Sequence, residues 1–122
     1  MYIYSFEKLD VWQKARKLNS KIYTTTKKFP KEETYGLVQQ LKRASISISS
    51  NLAEGSSRNT YRDKARFTNI AYSSLMEVLN QLILSKDLEY ISENEYLELR
   101  PLVEEIGNKL NALLNYQLKN TN

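Results

Sequence analysis

Four runs of apolar residues spaced at three and four, the first two closed by a helix-stopping signal and the last two opened by a capping signal, constrain this chain more than any other feature. In the first run Val11, Trp12, Ala15, Leu18, Ile22 and Tyr23 recur at the period that gathers side chains on one helical face. Asp10 is a candidate N-cap, and Phe29-Pro30 stops the run, because proline disfavours helical geometry at the residue before it. Lys31-Glu32-Glu33 is read as the opening of a second helix, with two carboxylates near the positive end of its dipole. Leu37, Leu41, Ala44, Ile48 and Leu52 carry the second stripe through Ala44–Ser50, an alternating stretch that would read as a strand in isolation. No other segment offers it a partner strand. Gly55 is placed to end this helix in a left-handed conformation.

Thr60 with Asp63 three residues on approximates a capping box and opens the third run, Phe67, Ile70, Ala71, Leu75, Val78, Leu79, Leu82 and Ile83. Ser92 with Glu95 is a full capping box, followed by Leu99, Leu102, Val103, Ile106, Leu110, Leu113 and Leu114. Pro101 is expected to kink that helix or mark its effective start. The predicted helices cover about 9–28, 32–54, 60–88 and 93–118. Connections this short make sequential helices antiparallel, so the fold expected is all-α, an up-down-up-down four-helix bundle in one domain over residues 1–122. The stripes on the third and fourth helices are wider than one core requires, which points to a second buried surface between subunits.

Composition removes most enzyme chemistries. The 122 residues include no Cys and no His, which excludes a disulfide framework, a zinc finger, a thiolate nucleophile, Ser-His and Cys-His pairs and a Glu-x-x-His di-iron site. No metal or cofactor is expected, and the reading is of binding rather than catalysis. No run reaches the roughly 18 apolar residues of a membrane span, and the first residues lack a charged n-region and an apolar h-region, so the expected location is the cytoplasm.

Charge separates along the chain. Residues 1–66 hold 14 basic and 6 acidic side chains, and residues 67–122 hold 4 and 8. A basic half attracts polyanions, although uneven charge also serves solubility. Arg58, Arg62, Lys64 and Arg66 cluster at the start of the third helix, where unpaired amides add partial positive charge. They are the candidate phosphate-contacting residues, and Lys14, Lys17, Lys21, Lys27 and Lys28 would widen the field. Nothing resembles a base-reading module, so any contact would be driven by charge and shape. Trp12 and the tyrosines at 23, 35, 61 and 72 read as core or interface aromatics. On the second helix Gln40, Arg43, Ser47, Asn51 and Glu54 form a polar stripe beside the apolar one, which Arg58 would extend if the helix continued.

The residues Gln40-Leu41-Lys42-Arg43-Ala44, Ser47-Ile48, Asn51-Leu52-Ala53-Glu54-Gly55 and Arg58 resemble the signature of the four-helix bundle family also called the 23S ribosomal RNA intervening-sequence proteins. Leu9, Val11-Trp12, Ala15, Phe29-Pro30, Glu33 and Tyr35-Gly36-Leu37 match upstream, and Ala71 and Leu75 downstream, over roughly residues 6–118. The resemblance implies a small bacterial helical bundle in which Gln40, Arg43, Ser47, Asn51, Glu54 and Gly55 are structural or interface residues. Related accessory proteins of diversity-generating retroelements form barrel-shaped pentamers that bind nucleic acid and a reverse transcriptase. By that resemblance this chain would assemble as a ring-shaped homo-oligomer, a homopentamer, with RNA as partner. The alternative is an adaptor that binds a protein such as a reverse transcriptase with little nucleic-acid affinity. Tyr72-Ser73 departs from the Gly-Ser common at this point of the family.

Overall fold

The computed structural model describes residues 1–121. It contains four long helices, α1 (Asp10–Thr26), α2 (Leu37–Ser56), α3 (Tyr61–Asp87) and α4 (Glu93–Lys119), with short 3-10 turns at Ser5–Lys8 and Lys31–Glu33. Each helix packs on its neighbours in chain order and α1 closes against α4, which makes an up-down-up-down bundle. Leu18 and Ile22 of α1, Leu41 and Ile48 of α2, Leu75 and Leu82 of α3, and Ile106 and Leu110 of α4 are fully enclosed. Burial of one such side chain stabilises the fold by about 1.5–3 kcal/mol. No helix among the described residues is long and apolar enough to cross a membrane.

The alternation in Ala44–Ser50 has a physical use inside a helix. Ala44 and Ile48 are buried in the core. Ser45 turns toward α1, where its Oγ accepts from Asn19 Nδ2 at 2.8 Å. Ser47 turns the other way, and its Oγ accepts from Ser74 Oγ on α3, also at 2.8 Å. Two serines two positions apart therefore stitch α2 to both of its neighbours. A strand would have put them on one face.

Several local expectations are corrected. Leu9, not Asp10, is the N-cap of α1, and Asp10 is its first helical residue, ion-paired with Lys109 of α4 at 2.7 Å. Helix α2 begins at Leu37 rather than near residue 32, because Lys31–Glu33 close as a 3-10 turn. Glu33 still serves the helix start: its Oε1 accepts from the Leu37 amide at 3.1 Å and its Oε2 from Tyr90 Oη at 2.9 Å. Gly55 lies inside α2 with no positive φ. A Cβ there would stand 2.9 Å from Cβ of Phe67, so the glycine allows α2 and α3 to touch. Pro101 does not mark the start of α4, which runs unbroken from Glu93. Thr60 Oγ1 and Ser92 Oγ cap α3 and α4 as the sequence indicates.

Tyr72, the departure on α3, is half-buried, and Gly107 of α4 faces it: a Cβ at 107 would meet Leu75 at 3.4 Å and Tyr72 at 3.9 Å. A small residue on one helix accommodates a large one on the next. Of the other aromatics, Trp12 is half-buried under Phe6, whereas Tyr23, Tyr35 and Tyr61 are exposed. Of the two wide stripes Ile70 is exposed and Leu79, Ile83, Leu113 and Leu114 are half-buried, while Leu84, Leu88, Leu97 and Leu118, outside those stripes, are exposed.

Candidate nucleic-acid interface

The α2–α3 connection gathers the four predicted basic residues, but they do not share one helical face. Helix α2 stops at Ser56 and α3 starts at Tyr61, so Arg58 sits in the link between them. It is nevertheless brought to α3. Arg58 Nε lies 2.8 Å from Asp63 Oδ2, Arg66 donates to Asp63 Oδ1 at 3.1 Å, and both guanidinium carbons lie over the Phe67 ring at 5.0 and 4.6 Å. The two arginines therefore clamp one carboxylate and cover one aromatic face. Asp63 loses some hydration here, which favours the neutral acid, but the hydrogen bonds from Arg58 and Arg66 win and hold its carboxyl below the ordinary carboxylate range.

Lys64 Nζ donates to the Ser56 carbonyl at 2.9 Å, a cation on the negative end of α2. Arg62 is exposed and makes no ion pair or hydrogen bond among the described residues. Between residues 57 and 67 four cations share a single carboxylate, so the corner keeps an excess of positive charge after its internal pairing. Three of the four hold the corner together, and Arg62 is the one without an internal partner among the described residues.

The polar stripe of α2 resolves into two kinds of contact. Arg43 donates to Gln40 Oε1 at 2.7 Å on the surface, and Asn51 Nδ2 donates to the Ser47 carbonyl at 2.8 Å and to its Oγ at 3.0 Å. With Ser74, these make Ser47 the central pin of the α2–α3 seam. Glu54 is exposed, one residue before Gly55. The stripe is thus a packing seam with a solvated edge.

Sequence reasoning did not separate the two ends of the bundle. Antiparallel packing places the first half of α1, the second half of α2, the first half of α3 and the second half of α4 together. That end carries ten basic and four acidic side chains, while the opposite end carries eight and ten. The N-terminal turn lies there too, and Ser5 shares a pocket with Tyr61, Lys64 and Gln117. The signal was present in the order of charges along the chain, but only the topology converts it into a polarity along the axis. Of the first helix's lysines, Lys14 is drawn toward Glu105 at 3.8 Å. Lys28, just beyond the helix, pairs with Glu95 and lies with Lys21 and Lys27 toward the opposite end, so of the five lysines only Lys14 and Lys17 stand at the basic end.

A protein family described as "23S rRNA-intervening sequence protein" matches residues 7–112. The chain is also similar in fold to the crystal structure of a protein of unknown function from the S23 ribosomal protein family of Bacteroides thetaiotaomicron. The TM-score is 0.79, with 24% identity, over 85% of this chain and 97% of that one. No curated protein matches the chain.

Proposed function

Because the chain belongs to the 23S rRNA-intervening sequence protein family, and because its α2–α3 corner holds four cations against one carboxylate, we propose that it is a non-catalytic bundle that contacts RNA or another nucleic acid through its basic end. The corner carries the reading. Arg62 is free to meet a phosphate, the clamped Arg58 and Arg66 retain donors beyond those spent on Asp63, and the amino end of α3 adds its own partial charge. Such binding reads the backbone, so it is tolerant of sequence and sensitive to salt.

Self-association belongs to the same proposal, supported by exposed Leu84, Leu88 and Leu97 near the turn between α3 and α4. The cytoplasm is its proposed location. Fluorescence anisotropy with labelled RNA tests the main claim. Affinity is expected to fall steeply as salt rises. Arg62→Ala with Arg66→Ala is expected to weaken binding and to flatten the log–log salt slope by about 0.7 for each single-strand phosphate no longer neutralised. Absence of binding in dilute buffer overturns the claim. The exposed leucines also suit an adaptor for a protein partner. Purified material with a low 260/280 absorbance ratio and no response to RNA favours that second reading.

A further inference from the structure

At the basic end a pocket of about 160 Å³ opens between the N-terminal turn, the end of α2, the start of α3 and the end of α4. Its size is informative, since an apolar cavity of roughly 150 Å³ takes a benzene ring and pockets for drug-sized ligands run to about 300–1,000 Å³. There is room for one six-membered ring.

The lining is apolar on the sides and polar at selected points. Leu9, Leu52 and Leu113 form walls, and the rings of Tyr61 and Tyr116 meet edge to face with centroids 5.7 Å apart. Also in the lining, Thr68 Oγ1 lies 2.7 Å from Gln117 Oε1 and 3.2 Å from the Lys64 carbonyl. A hydroxyl has one proton to give, so these two acceptors compete for it. Gln117 is only 6% exposed and lines the pocket, and its carboxamide retains hydrogen-bonding capacity beyond the contact with Thr68. A carboxamide that keeps a free amide group beside apolar walls suits an edge that carries donors and acceptors side by side. Lys64 also lines the pocket, and Arg62 follows Tyr61 on the same first turn of α3.

We propose that this pocket takes the pyrimidine ring of an unpaired nucleotide. The leucines and tyrosines hold the ring by its faces, Gln117 meets its polar edge, and Lys64 and Arg62 meet the attached phosphate. The proposal rests on the nucleic-acid reading above and makes it specific: the basic end binds single-stranded segments with an accessible base, not uniform duplex.

The full chain would be titrated with three labelled strands of equal length at one salt concentration: oligouridine, oligoadenosine and an abasic ribose-phosphate strand. Oligouridine is expected to bind about tenfold tighter than the abasic strand, the scale of one stacked base, and tighter than oligoadenosine. Leu113→Trp, which fills the pocket, and Tyr116→Ala, which opens its mouth, should each bring oligouridine down to the abasic level, with circular dichroism confirming that the helices remain. Equal binding of oligouridine and the abasic strand, both weakened by Arg62→Ala, would overturn the pocket and leave backbone contact standing. A preference for oligoadenosine overturns it through the size of the ring, and failure of all three strands to bind overturns both readings.

Discussion

A methyl group at position 55 would sit 2.9 Å from Cβ of Phe67, closer than packed side chains allow. Replacing Gly55 by Ala gains helix propensity of about 1 kcal/mol but forces α2 and α3 apart, at about 1–3 kcal/mol. Lower stability is expected, and a reduced denaturant midpoint would register it. Asp63 is the second residue whose neighbours define it. Arg58 and Arg66 depress its pKa, so its contribution to stability is complete above the ordinary carboxylate value and disappears as pH falls through the depressed one. Acid titration of Asp63→Asn should therefore show a smaller loss of stability below about pH 4 than the parent. The caps at Thr60 and Ser92 are legible in the sequence because a cap and its amide are three residues apart. The roles of Gly55 and Asp10 are not, because their partners, Phe67 and Lys109, arrive only through tertiary packing.

Among the helices, α2 shows most clearly what a pattern can and cannot say. Its apolar stripe identifies the buried face correctly at Leu41, Ala44, Ile48 and Leu52. The serines between them carry no sign of their partners, because Asn19 and Ser74 are 26 and 27 residues away. If Ser47 and Ser74 bind one another across the seam, Ser47→Ala and Ser74→Ala should each destabilise by about 0.5–1.5 kcal/mol, and the double variant by less than the sum. Thermal or urea unfolding of the four proteins closes that cycle. Additive effects would mean that each serine satisfies itself locally. The start of α2 lies later than its charge pattern indicates for a related reason: Glu33 favours a helix N-terminus by its charge, yet it acts from outside, reaching forward to the Leu37 amide.

The whole bundle converts a gradient along the chain into a polarity in space. The candidate basic residues are legible in the sequence as a cluster, but their mutual pairing through Asp63 and Phe67 is not, and neither is the pocket beside them. Polarity gives a position-dependent expectation. Lys27 and Lys28 lie at the opposite end, where acids outnumber bases. Their joint replacement by Ala should leave RNA affinity close to the parent value, whereas Arg62→Ala with Arg66→Ala weakens it, although the pairs remove equal formal charge. Equal losses from the two pairs, read by anisotropy at one salt concentration, would show that only net charge matters. The up-down topology also brings Ser5 and Gln117 into the walls of one cavity. An affinity tag fused at either extremity would consequently hang over that opening, and a polyhistidine or acidic leader left uncleaved could mask the cations or mimic a ligand, so untagged material is the proper starting point for every titration described above.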